Sequence, residues 1–273
     1  MTTRSAAHSP SDGLLRRIGA FLSGKTAGVL LILLLLAAWE FAALWLVDST
    51  SFPRMTTVMQ SWYELVVNGD IPSALFVTLQ RMLLAYAAAA VVGIVIGLLM
   101  GKFRFVHNLL EPLIELLRPI PSPAYIPIAI LFLGIGSEMK IVLIFVATLF
   151  PIIVNTYAGV TGVNAALVDT GRTFGLSQLQ SIRQIVIPAA SPLIFAGLRI
   201  SLAIALILAV ISEMVAGNDG AGYFILYNQQ AFLIPEMYAG ILSLAVMGYA
   251  LNRVFLEVEK RVVGWHTQSR GGR

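Results

Sequence analysis

The sequence contains no cysteine. Disulfides, thiolate metal sites and cysteine nucleophiles are excluded, and the redox state of the compartment is left open. Charge is scarce as well. Only 12% of the 273 residues are Asp, Glu, Lys or Arg, about half the share of a soluble domain. The three histidines, His8, His107 and His266, lie far apart without metal-ligand spacing, and each is expected at a solvated surface. No pair of acids at helical spacing marks a proton relay, which an ion-driven carrier would need. No clustered acids, His or Ser–Lys pair supports a membrane-embedded enzyme. The chain is therefore expected to be no enzyme and to hold no metal and no cofactor. Its net charge of +4 does not indicate nucleic acid, because in an apolar chain the placement of Lys and Arg matters more than their sum.

What the sequence has in abundance is apolar surface: 58% hydrophobic residues and a mean hydropathy of +0.85. Runs long enough to cross a bilayer, about 20 residues each, recur throughout. Six are expected, near 28–47, 74–100, 108–134, 140–160, 191–215 and 237–256. The third is broken by Pro112, Pro119, Pro121, Pro123 and Pro127. A shorter piece at 55–67 carries Trp62 and Tyr63, residues suited to the membrane interface. Before the first span, Leu14, Leu15, Ile18, Phe21 and Leu22 share one helical face while Arg16 and Arg17 point away, the pattern of a helix lying on the membrane surface. The fold class is thus an all-α membrane protein with about six transmembrane helices and an N-terminal amphipathic interfacial helix. Residues 1–27 form a tail with that helix, 28–262 the transmembrane domain, and 263–273 a second tail.

Lys and Arg set the expected orientation. One set of ends carries Arg4, Arg16, Arg17, Lys25, Lys102, Arg104, Arg172, Arg183, Lys260, Arg261, Arg270 and Arg273. The opposite set carries Arg54 and Lys140, with Arg81 near a helix start. The positive-inside rule then places both termini in the cytoplasm.

Gly19 to Thr26 reads GAFLSGKT, which fits the written form of a phosphate-binding loop. A working loop of that kind follows a strand and opens a helix facing the phosphates. Here an amphipathic segment precedes it and an apolar span follows. The match is read as accidental, with Lys25 as an anchor before the first span.

The stretch from Asn164 to Pro192, NAALVDTGRTFGLSQLQSIRQIVIPAASP, is the informative one. It lies on the Lys/Arg-rich side, yet Leu167, Phe174, Leu176, Leu179, Ile182 and Ile185 give it an apolar pattern. Gly171 and Gly175 interrupt that pattern and Pro188 is expected to end it. Exposed apolar knobs beside a glycine bend are what docking into a partner's groove requires, and Asp169, Arg172 and Arg183 are placed to orient it.

This stretch resembles the EAA loop of bacterial ABC-importer permeases: Glu-Ala-Ala, three residues, Gly, nine residues, then Ile-x-Leu-Pro. The chain has Asp169-Thr170-Gly171, then Gly175, then Ile185-Val186-Ile187-Pro188 at the same spacing. Asp replaces Glu, Thr-Gly replaces Ala-Ala, and the added glycine is expected to loosen the first helix. Arg118–Gly136, Phe150–Val160 and Gly197–Met214 resemble the nitrate/sulfonate/taurine/bicarbonate branch. The resemblance implies a type I ABC-importer permease fold in the bacterial plasma (inner) membrane. It implies a homodimer of permease chains and two cytoplasmic ATPase subunits that bind ATP and Mg. It also implies an extracytoplasmic binding protein that delivers substrate, and alternating access driven by the ATPase. The coupling loop is then 164–188, with Asp169, Thr170, Gly171, Arg172, Phe174, Gly175, Leu176, Ile185 and Pro188 as its contact and bend residues. The cargo it implies is a small solute, an anion of the sulfonate, taurine, nitrate or bicarbonate type. A neutral, thiamine-precursor-like compound and, less well supported, an ion-coupled carrier are the alternatives.

Charge inside a span is costly and often functional. Arg118 and Arg199 are candidates for an anion pathway, against the reading that each snorkels to the interface. Glu213 is read either as an entrance residue or as a structural hydrogen-bond partner. Glu40 is expected to pair with a neighbouring helix. The proline run frees carbonyls that lipid does not tolerate, so Ser122 and Tyr125 are placed beside an aqueous cavity. Gly93, Gly97 and Gly101 form a small-residue stripe for helix packing.

Overall fold

A computed structural model describes residues 25–46 and 49–268, with side chains from 27 onward to 264. The amphipathic segment and all but the last two residues of the apparent phosphate loop lie outside the described residues. Every regular element among the described residues is helical. The chain divides into two compact units, one up to Tyr63 and one from Glu64.

The first unit contains α1 (Lys25–Trp45) and the start of α2 (Met55–Val67). The indole N–H of Trp39 donates to the Pro53 carbonyl at 3.0 Å, and its ring stacks on Phe52 at 4.8 Å. Glu40 accepts from the Thr56 backbone N–H at 3.1 Å and from the Thr56 hydroxyl at 2.9 Å. An acid placed in a span by hydropathy thus satisfies an orphan donor at the start of α2.

The second unit continues α2 and adds α3 (Asp70–Lys102), α4 (Arg104–Leu117), α5 (Ile126–Leu133) and α6 (Ser137–Thr161). It then runs through α7 (Ala165–Thr173), α8 (Gln178–Ser181), a π turn (Ile182–Val186) and α9 (Ile187–Ala216). It closes with α10 (Gly220–Gln230) and α11 (Ile234–Gln268). Among the described residues, five helical stretches are long and apolar enough to cross a membrane, counting Gln178–Ala216 as one, and α4 with the bent stretch Ser122–Leu133 makes a sixth if the pair is one span, broken by 92°. The break falls on the proline run. The last helix runs twelve residues past the expected end of its span (268 − 256).

Helix α6 lies at the centre. On one side Gly93, Gly97 and Gly101 of α3 meet it: a Cβ on Gly97 would stand 2.5 Å from the Thr156 Cβ, and one on Gly101 would stand 2.5 Å from Val160 Cγ1. On an adjoining face of α6, Gly197 of α9 leaves no room for a Cβ against Asn155 and the Pro151 carbonyl. That carbonyl is also an acceptor for the Asn155 side-chain amide at 2.8 Å. Small residues let backbones approach where lipid supplies no hydrophobic drive between helices. Ser201 donates to the Thr148 carbonyl at 2.8 Å and Tyr86 to the Leu198 carbonyl at 3.0 Å, tying α9 to α6 and α3.

At the end of the bundle away from α7, four charged side chains meet. Glu213 is 1% exposed and accepts from Thr78, from the Gly222 backbone N–H and from Arg81. Asp219 receives Arg81 at 2.7 Å and Lys140 at 3.3 Å. Arg81 also donates to Ser137. Two cations thus face two acids, and Asp219 is the member most open to water, at 44%. It lies in the linker between α9 and α10. Arg81's hydrogen bond, and then the charges of Arg81 and Lys140, hold its carboxyl below the ordinary range, against the opposing pull of partial burial. Arg81 and Lys140 are therefore neutralised inside the bundle rather than displayed, and the far set of ends keeps Arg54 from the original count.

Gly97→Val is expected to cost about 1–3 kcal/mol by overpacking, read as a lower thermal midpoint in detergent, whereas Gly136→Ala, where a Cβ meets nothing within 4 Å, leaves it unchanged. Asp219→Asn is expected to cost about 2 kcal/mol near neutral pH. That is below the penalty for a fully buried pair, because Asp219 is partly solvated. A carboxylate whose pKa is depressed in the fold stabilises it above the ordinary Asp value of about 3.9 and loses that contribution as pH falls through the lowered value. The gap between wild type and Asp219→Asn should therefore be full at neutral pH and close in acid; a gap independent of pH would contradict the ionic role.

Candidate functional site

The loop between α6 and α9 is built for display. The Asn164 side chain caps α7 by accepting from the Ala166 N–H at 2.9 Å. Asp169 and Arg172 pair at 3.3 Å on its exposed face, and Thr170 bonds back to the Ala166 carbonyl. The helix then closes at Gly175, whose φ of +78° is the left-handed geometry that glycine supplies at a helix C-terminus. The Leu176 N–H donates to the Gly171 carbonyl and the Gly175 N–H to the Arg172 carbonyl, completing the bend. Ser177 and Gln180 form a capping box that starts α8 at once.

This bend leaves Phe174 82% exposed, Leu179 76% exposed and Leu167 53% exposed. Leu176 and Ile185 face inward against Gly171, where a Cβ would stand 2.5 Å from the Ile185 Cδ1. The added glycine is thus a packing position that seats α7 on the π turn, and the helix remains regular through it. Pro188 follows the π turn directly and does not end the helical path: Gln178–Ala216 forms one 39-residue apolar rod that runs through it, interrupted by the wider π turn.

The expected pathway residues do not form one cluster. Arg118 closes α4 and pairs with Glu115 at 3.8 Å, both exposed. Ser122 and Tyr125 lie half-buried in the turn that follows, where the Tyr125 hydroxyl donates to the Leu117 carbonyl at 3.3 Å, one of the acceptors the proline break sets free. Arg199 stands exposed in the middle of α9 with no ion-pair partner among the described residues. Fourteen residues separate it from Glu213 (213 − 199), about 21 Å along the helix. Glu213 itself sits in the four-charge cluster described above, held by Thr78, Arg81 and the turn before α10.

Sequence reasoning missed His107. Its ring stacks on Tyr157 at 4.7 Å and pairs with Glu111 at 3.1 Å, so it is mostly covered rather than solvated. The spacing of His107 and Glu111, one helical turn apart, is the signal that was available.

The geometry can be compared with known proteins. Residues 89–263 match a family described as "Binding-protein-dependent transport system inner membrane component". The nitrate import permease protein NrtB of Synechocystis sp. is 32% identical, over 85% of this chain and 87% of that one. The taurine transport system permease protein TauC of Escherichia coli is 30% identical, over 86% and 88%. Among solved structures, an inward-facing conformation of the MetNI methionine ABC transporter superposes with a TM-score of 0.61 at 17% identity, covering 70% of this chain and 95% of that one. The displayed loop, the broken span and the helical bundle thus belong to a multi-pass membrane chain of the ABC-importer permease fold, and the chain is a member of the binding-protein-dependent transport system inner membrane components.

Proposed function

We propose that two copies of this chain form the translocation pathway of an ATP-driven importer for a small oxyanion of the nitrate or sulfonate type. The observation that carries the reading is the displayed loop, with Phe174 and Leu179 held in solvent on either side of the Gly175 bend. Three large apolar side chains in water are unfavourable for an isolated chain, and they suit a groove on a partner. That partner is a cytoplasmic ATPase, which binds the nucleotide and Mg that this chain does not. The loop face and both termini are cytoplasmic, and burial of Arg81 and Lys140 sharpens the charge asymmetry on which this orientation rests. An extracytoplasmic binding protein delivers the cargo at the opposite face.

Closure of the ATPase dimer shifts the pore only through a difference in its affinity for the two pore states. The loop is well placed to carry that difference. Its C-terminal half continues without a gap into α9, so a displacement of α8 moves the helix that bears Arg199. An exposed, unpaired arginine in the middle of a span is poorly tolerated by lipid, which supports an aqueous path or a second chain in front of it. The nitrate and taurine relatives support an anion as cargo.

Gly175→Ile forces a β-branched side chain into the left-handed region, at a local cost of about 1–2 kcal/mol or more. It should abolish ATP-dependent uptake while membrane insertion stays normal, as should deletion of 169–176. Normal uptake by either variant would sink the docking assignment. Phe174→Ala should lose the co-purifying ATPase. Arg199→Gln is expected to lower oxyanion uptake about tenfold, the equivalent of 1.4 kcal/mol, with Arg199→Lys retaining part of it. Equal uptake by wild type and Arg199→Gln would remove Arg199 from the pathway.

A further inference from the structure

Where α3, α6 and α7 converge there is a cavity of about 590 Å³. Its walls are aliphatic, with Val95, Leu99, Val160 and Val168 among them, and Lys102, Asp169 and Arg172 stand at its polar end. Of the docking-loop residues Asp169 and Arg172 line it, whereas the exposed knobs Leu167, Phe174 and Leu179 do not.

Three features specify what fits. The first is a track. Leu84, Val91, Val95 and Leu99 are large exposed side chains along one face of α3, spaced so that each lies about one or two turns from the next. The track runs down α3 into the cavity and ends at Lys102. The second is depth. Arg81, in the charge cluster, and Lys102 are twenty-one residues apart (102 − 81), about 31 Å along a helix, which matches a hydrocarbon core of about 30 Å. Lys102 therefore stands at headgroup level on the face that carries the loop. The third is charge. Lys102 is half-buried and has no ion-pair partner among the described residues. Arg172 is paired with Asp169 at 3.3 Å, so the mouth carries two cations against one acid and is left with one positive charge. The exposed aromatics Phe103 and Phe105 follow directly.

We propose that this cavity is a binding site for one anionic phospholipid. The phosphate sits on Lys102 with Arg172 beside it, and an acyl chain lies along Val95 and Leu99. Basic pockets between helices at the membrane surface select anionic headgroups in this way. Because Val168, Asp169 and Arg172 line the same cavity, the bound lipid braces the root of α7 against α3 and α6. Only this last consequence rests on the importer reading; the site itself does not.

The test is native mass spectrometry of the purified permease released from nanodiscs of phosphatidylcholine mixed with phosphatidylglycerol. Wild type and Lys102→Arg should retain phosphatidylglycerol in preference to phosphatidylcholine. Lys102→Gln should retain about fivefold less, the factor that one basic residue contributes at an anionic surface. Leu99→Trp, which narrows the cavity and keeps the charge, should also lose it. Equal retention of the two lipids by wild type, or retention by Lys102→Gln equal to wild type, would overturn the site. The readout needs no ATPase. A permease that holds the lipid but never co-purifies with an ATPase would refute the importer reading and leave the lipid site standing.

Discussion

The architecture depends on how closely α3 and α6 approach. In lipid, apolar side chains gain nothing by leaving one hydrocarbon environment for another, so helices associate through fit and hydrogen bonds. Gly93, Gly97 and Gly101 bring α3 onto Ile152, Thr156 and Val160 at distances that no Cβ permits. Gly197 does the same for α9 on a neighbouring face of α6. With α6 held against two backbones, the loop that leaves its end at Gly162 starts from a fixed point. The cavity beside Lys102 lies at the last glycine of the same stripe, Gly101.

The four-charge cluster secures the other end. Arg81, Lys140 and Glu213 are removed from water almost completely, an arrangement that lowers stability unless each charge finds its opposite. Here each does, and the Gly222 N–H and the Thr78 hydroxyl occupy the acceptor positions that remain on Glu213. Asp219 reaches in from a linker, so the turn before α10 is anchored to two separate helices, α3 through Arg81 and α6 through Lys140. One end of the bundle is therefore closed by charge and the other is organised around an exposed apolar loop.

Much of this was legible in the sequence. Hydropathy located each apolar span, because about 20 apolar residues are a strong signal, although the rod Gln178–Ala216 starts thirteen residues before the expected 191 (191 − 178) and the last helix ends twelve residues after the expected 256 (268 − 256). The spacing of Gly93, Gly97 and Gly101 identified a packing face, and the proline run marked the broken span. The apolar pattern around Gly175 identified the displayed loop. What failed has a common cause. Lys140 and Arg81 read as surface charge because their shared partner, Asp219, lies 79 and 138 residues further along the chain (219 − 140 and 219 − 81). His107 read as solvated because Tyr157 is distant in sequence. Pro188 read as a stop because proline lacks the N–H of a regular helical turn, whereas the backbone places it just past the wider π turn, with the rod continuing through it. Long-range pairing and helix phase are absent from composition and spacing.

The π turn at Ile182–Val186 has a consequence for how such loops diversify. A turn of this kind holds one residue more than the α-helical turn it replaces, and one residue corresponds to about 100° of rotation at 3.6 residues per turn. The compass direction of Leu179, relative to the side of α9 that bears Arg199, is thus set by a single inserted residue. Gain or loss of that residue re-aims the knob towards a differently shaped groove, while the rod beyond it keeps its register in the bundle. A lineage of such chains has in this turn a dial that moves independently of the rest of the bundle.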